Sequence, residues 1–275
     1  GGSLPVNVVV VAEGEEEIGS PNLVPFVKKN RDRLACDAVV ISDSSMFAQG
    51  IPSLLFSLRG LVYFEIHVQG PAGDLHSGTY GGAVVNPGNV LSRIVDSLKN
   101  EDGSIAIPGF YDDVMDWDEV SREAIRGLPF DLSEFMDEVG APGLNGEAGF
   151  SLLERLWIRP TCDVNGMLCG YTGEGAKTVL PAKAMAKVSF RLVPNQDPAR
   201  VGELLRAHIA RVAPPEVDVS GEALHGGRPW KAELEGRYCE AAQSALEKAF
   251  GPKPVLTGEG GSIPIVVDFQ EILEA

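Results

Sequence analysis

In Val8-Val9-Val10-Val11-Ala12-Glu13-Gly14-Glu15-Glu16-Glu17-Ile18-Gly19-Ser20, four carboxylates and two glycines follow a run of β-branched residues. Such a run predicts a buried strand, and in an open α/β sheet the C-terminal ends of strands are where ligands and chemistry sit. Carboxylates there can serve as hard oxygen ligands for a metal or as the general base for a water. The plainer alternative is an acidic first turn of the next helix, complementing its macrodipole. A second apolar stretch, Asp37-Ala38-Val39-Val40-Ile41-Ser42-Asp43, also ends on a carboxylate. With a short helix between them, these two strands would form a βαβ unit that gathers Glu16, Glu17 and Asp43 at one edge. For Asp43 alone, a turn residue after a strand is the competing reading. Arg191 stands within an alternating strand, where a charge on a sheet face needs a partner. His76 sits in a Gly-rich loop, while His67 and His208, in a strand and a helix, read as structural.

Several of these segments resemble the M20 family of metallopeptidases, particularly its dipeptidase and carnosinase-like branch. Glu13 to Ser20 is similar to the family's EGxEExGS motif. In the family's order follow Ile41-Ser42-Asp43, Asp74-Leu75-His76-Ser77-Gly78, Ala176-Lys177-Thr178-Val179-Leu180-Pro181, Arg191-Leu192-Val193-Pro194-Asn195 and Gly260-Gly261-Ser262-Ile263-Pro264. The resemblance implies a two-zinc hydrolase of dipeptides or short peptides, acting through a metal-activated water. It makes Glu17 and Asp43 metal ligands, Glu16 the general base and His76 the stabiliser of the oxyanion, reaching the neighbouring subunit's site. Arg191 would grip the substrate's terminal carboxylate with its planar fork. Thr178, Gly261 and Ser262 would line the same pocket, the Gly-rich turn offering backbone amides to an anion. Asn165 and His225 are further candidates for substrate binding.

The family pattern also contains an upstream H-x-D segment, an Asp that bridges both zincs and a histidine ligand near its end, none with a counterpart in these 275 residues. Of five expected ligands, Glu17 and Asp43 have matching positions, and two carboxylates hold zinc poorly. The expectation is thus the middle of such a peptidase, inactive alone, with apolar sheet and helix faces left exposed. Two alternatives stand beside the dipeptidase: an N-acyl amino acid deacylase with the same centre, and a non-catalytic dimerisation fragment. An H-E-x-x-H helix and a G-x-S-x-G elbow are both lacking.

The elements that must position these residues divide the chain in three. Residues 1–58 are expected as the first part of an α/β catalytic domain, with a helix over 21–30 capped by Ser20. Residues 59–222 are expected as an inserted α+β lid and dimerisation domain, and residues 223–275 as the second part of the catalytic domain. Within the lid, strands over 61–70 and 182–193, helices over 89–98 and 198–212, and an edge strand at 217–219 resemble a ferredoxin-like β-α-β-β-α-β order. A long helix over 234–250 ends at Gly251-Pro252, and a strand at 255–257 leads into the glycine turn.

Composition is that of a globular chain, 44% hydrophobic and 23% charged. A formal net charge of −16 argues against nucleic acid and against an anionic membrane surface. The longest apolar runs fall far short of the roughly 20 residues that span a bilayer, and there is no basic start followed by an apolar stretch. Cys36, Cys162, Cys169 and Cys239 lack C-x-x-C spacing and are expected as free thiols in the cytoplasm.

Overall fold

The structure is a computed structural model that describes residues 4–275. Among these residues the strands are β1 (Ser53–Leu58), β2 (Gly60–Gln69), β3 (Leu75–His76), β4 (Thr161–Cys169), β5 (Val179–Leu180), β6 (Lys183–Leu192), β7 (Asp218–Gly227), β8 (Trp230–Lys231) and β9 (Val255–Glu259). The described residues divide into two compact units, residues 46–262 and residues up to 45 with 263–275.

The larger unit is built on an antiparallel sheet in the order β4-β6-β2-β7. Period-two patterning explains its layering. Along β2, Val62, Phe64, Ile66 and Val68 are buried, while Tyr63, Glu65 and His67 point to the other face. The buried set packs on Val90, Leu91 and Ile94 of helix Pro87–Asp96 and on Val201, Leu205 and Ile209 of helix Pro198–Val212. Both helices begin on a side-chain cap followed by Pro. Asn86 accepts from the Gly88 N–H, Asp197 from the Arg200 N–H, and the proline supplies no donor where none is needed. The chain order β2, helix, β4, β6, helix, β7 is the expected β-α-β-β-α-β arrangement, with both helices on one face. The edge strand foreseen at 217–219 extends to Gly227.

Residues between helix Pro87–Asp96 and β4 carry three short helices, Glu119–Arg126, Leu132–Val139 and Leu152–Trp157. Their anchor is Glu154, whose side chain is fully buried. It closes a capping box with Ser151 and accepts from Arg122 Nε at 2.6 Å. Burial alone would raise this carboxyl; the bonds from Ser151 and Arg122 outweigh it and hold Glu154 below the usual range. Phe56, Leu153, Trp157 and Ile158 form a second apolar cluster beneath the three-stranded sheet β8-β1-β9. In that sheet β1 runs parallel to β9 and antiparallel to β8.

In the smaller unit, Leu23, Val27 and Leu34 pack with Ile265, Phe269, Ile272 and Leu273 of helix Ile265–Leu273. Here the structure departs from the expectations drawn from the sequence. Neither Val8–Ala12 nor Asp37–Asp43 forms a strand, so the βαβ unit is not made. A β-branched run becomes a strand only when a second strand supplies its ladder. No strand among the described residues pairs with either segment, and Val10 and Val40 remain 83% and 91% exposed. Ser20 does not cap the following helix either. It sits at φ 50°, the helix starts after Asn22, and the Glu15 carboxylate accepts from the Asn22 N–H and Nδ2.

Candidate active site

Arg191 lies near the end of β6, opposite Leu61 on β2 and Thr161 on β4. Its neighbours Phe190 and Leu192 are buried, so alternation turns Arg191 to the face the two helices leave uncovered. Its Nη1 donates to Ser262 Oγ at 3.1 Å, and Ser262 Oγ donates to the Arg59 carbonyl at 2.6 Å. Gly261 is held in the same turn, its N–H reaching Glu259 Oε1 at 3.2 Å. Arg191 is thus brought to Ser262, 71 positions away in sequence, and to the turn that holds Gly261. No carboxylate among the described residues comes within 4 Å of the Arg191 guanidinium as an ion-pair partner. An arginine held by a hydroxyl and left without a counter-ion is suited to a ligand carboxylate.

Arg59 escaped the sequence reading. It is the one charge inside the apolar stretch Leu54 to Tyr63, and that placement is the signal that could have found it. It links β1 to β2, is buried, and donates from Nε to the Gly260 carbonyl at 3.2 Å. The next residue, Gly60, admits no side chain, because a Cβ there would meet the Gly227 carbonyl at 2.6 Å.

His76 and Thr178 form a second pair. The short antiparallel ladder of β3 and β5 sets His76 opposite Val179, and Thr178 Oγ1 lies 3.1 Å from His76 Nε2. The Gly78 N–H donates to His76 Nδ1 at 3.0 Å, so in the neutral ring Nε2 carries the proton and Thr178 Oγ1 accepts it. Asp74 fastens this loop by accepting from the Ala182 N–H at 2.9 Å. His76 is exposed, so a ligand acceptor can reach its Nε2 proton by taking the place of Thr178 Oγ1.

The remaining candidates stand apart. Glu16 and Glu17 occupy a single 3-10 turn, Glu16–Ile18, and are exposed, as is Asp43. Because the βαβ unit is not formed, the gathering of these three at one edge is not seen. Among the described residues no group of three His, Cys, Asp or Glu side chains could hold a metal ion. Asn165 is the extra residue of a bulge in β4, exposed between Val164 and Gly166. His225, exposed on β7, stacks on Tyr63 with ring centroids 4.7 Å apart. His208 has the structural setting expected of it, between Ser97 Oγ at 2.8 Å and Arg211 Nη2 at 3.0 Å.

Comparison with known proteins places the chain in a family. The peptidase dimerisation domain family matches residues 56–217. The Cys-Gly metallodipeptidase dug1 of Schizosaccharomyces pombe is 32% identical over 275 residues, covering 98% of this chain and 58% of that protein. The Beta-Ala-His dipeptidase of Homo sapiens is 31% identical over 275 residues, covering 98% and 54%. The chain therefore spans a little over half the length of these relatives. Among solved structures, the dipeptidase Dug1p of Saccharomyces cerevisiae superposes with a TM-score of 0.81 at 31% identity, covering 96% of this chain and 56% of that one. Human carnosine dipeptidase 1 gives 0.80 at 30% identity, covering 95% and 56%. With more than half of its residues inside the family match, the chain belongs to the M20 peptidase family.

Proposed function

We propose that the protein acts as a metal-dependent dipeptidase. The observation that carries this reading is the Arg191–Ser262 pair, a guanidinium without a counter-ion held beside a Gly-rich turn, which suits the free carboxylate at the end of a short peptide. The relatives that carry dipeptidase names support it. Membership of this metallopeptidase family implies a metal cofactor, typically zinc. We infer two zinc ions per subunit, with Glu17 and Asp43 among the donors. The described residues do not gather a full donor set.

In this reading Arg191 and Ser262 bind and orient the carboxylate, which fixes the scissile bond relative to the reacting groups. Glu16 takes the proton of the attacking water and passes it to the leaving amine. His76 donates its Nε2 hydrogen to the oxyanion, from across a homodimer formed by the lid. Four free cysteines suit a reducing, cytoplasmic setting.

The test is a panel of free dipeptides and N-acetyl amino acids, assayed in zinc-supplemented buffer. The expected result, for protein in which Glu17 and Asp43 are joined by the remaining metal donors, is hydrolysis of dipeptides and its loss with a chelator; these 275 residues alone are expected to be inactive. Activity confined to the acetylated set would replace the reading with a deacylase, and activity on neither would leave a dimerisation module.

A further inference from the structure

Arg59 is 8% exposed, and its Nη1 is buried without any hydrogen-bond partner. Three bonds tie it to the turn that carries Ser262. Its N–H donates to the Glu259 carbonyl at 3.2 Å, its Nε to the Gly260 carbonyl at 3.2 Å, and its own carbonyl accepts from Ser262 Oγ at 2.6 Å. The guanidinium crowds Gly260, where a Cβ would meet Nη2 at 2.8 Å. Like Arg191, it has no carboxylate within 4 Å among the described residues. Burial first, and then the like charge of Arg191, pushes Arg59 down to about 10; Asp163 and Glu259 oppose this without cancelling it. The group stays protonated at neutral pH, so a buried cation stands uncompensated beside a second one. Such an arrangement is costly in isolation and is relieved when an anion arrives.

We propose that Arg59 is a positioning residue for carboxylate recognition: it holds the Gly260–Ser262 turn against Arg191 and adds a second, buried positive charge behind the groups that meet the substrate's terminal carboxylate. The inference rests on the dipeptidase reading, since the anion is the carboxylate of a short peptide. Arg59 does not touch the ligand itself, because its free Nη1 is sealed from solvent; it acts through Ser262 and through the field at Arg191.

The test follows the Arg191 side-chain Nε–H signal by nitrogen-15 NMR while glycylglycine is added, with glycylglycinamide as the control lacking a carboxylate. Wild-type protein is expected to shift this signal with glycylglycine alone. Arg59→Gln keeps a donor for the Gly260 carbonyl and removes the charge; it is expected to weaken glycylglycine binding about 5- to 10-fold, the order of one charge acting on another through protein at a distance. Arg59→Lys keeps the charge and is expected to bind within about 3-fold of wild type by the same reasoning. Equal binding by wild type and Arg59→Gln overturns the role of Arg59 while leaving the carboxylate pocket intact. A wild-type Arg191 signal indifferent to glycylglycine overturns the pocket and the inference together. Arg59→Lys, with its charge retained, keeps the comparison open should Arg59→Gln not fold, and a 10-fold loss in a folded Arg59→Lys also overturns the inference.

Discussion

Thr178 Oγ1 and His76 Nε2 stand 3.1 Å apart although 102 positions separate the two residues in sequence. With Gly78 occupying Nδ1 from the other side, the ring is held in one tautomer and one orientation. Replacing Thr178 by Val keeps the shape of the side chain and removes the acceptor. In the dipeptidase reading this lowers kcat about 10-fold, because the donor to the oxyanion loses its alignment. His76→Ala removes the donor outright and lowers kcat by about 10²- to 10³-fold. Steady-state kinetics on a dipeptide checks both; an effect confined to KM would assign the pair to binding alone.

The Arg191–Ser262 contact carries a different kinetic signature. Arg191→Lys replaces a planar fork with a point charge and should raise KM for dipeptides about 10-fold or more, with kcat little changed. Ser262→Ala removes the hydroxyl that receives Arg191 and should raise KM by a smaller factor. A dipeptide amide, lacking the carboxylate, should respond to neither substitution. Equal losses on acid and amide would show that the two residues maintain the fold rather than recognise an anion.

What the sequence disclosed follows the physics of each segment. On β6, Ala184, Ala186, Val188, Phe190 and Leu192 alternate with more exposed residues, and the structure places that set against the helices as the period-two pattern requires. The helix from Pro198 to Val212 matched its bounds because Asp197, Pro198 and the apolar spacing all mark the same start. Val8 to Val11 misled, since β-branched composition reports fitness for a sheet and not the presence of a neighbouring strand. Arg59 stayed hidden for a related reason: a single basic residue in an apolar stretch has no motif, and its ties to Glu259, Gly260 and Ser262 span about 200 positions.

His208 makes the larger unit sensitive to acid. Arg211 Nη2 can only donate, so His208 Nδ1 accepts, and Nε2 donates to Ser97, whose hydroxyl in turn reaches the Ile94 carbonyl at 2.7 Å. Burial, followed by the charge of Arg211, holds this imidazole below its ordinary 6.5, against the opposing hydrogen bond that it donates to Ser97. The unfolded chain therefore binds the proton more readily than the folded one. This contribution to stability is fully present above about 6.5 and is lost as pH falls through that value towards the depressed folded one. Urea unfolding midpoints measured from pH 7.5 to 5 should fall for the wild type. They should fall less for His208→Gln, whose amide keeps the polar partners without titrating; identical slopes would remove His208 as the cause.

The family's dimerisation domain directs attention to the free edges of the four-stranded sheet, β4 and β7. An edge strand offers unpaired backbone groups, and charge or proline usually blunts it. β4 does the reverse: Val164, Met167 and Leu168 are large, apolar and 44%, 49% and 58% exposed. Apolar side chains flanking an open ladder suit pairing with the same edge of a second copy about a two-fold axis. Sedimentation velocity at micromolar concentration should therefore show a dimer for the wild type and a monomer for the double variant Met167→Lys/Leu168→Lys. In the dipeptidase reading the same variant loses kcat along with its partner, because His76 then has no neighbouring site to serve. A dimer that survives both lysines would move the interface away from β4, and a monomeric wild type would end the proposal that His76 acts in trans.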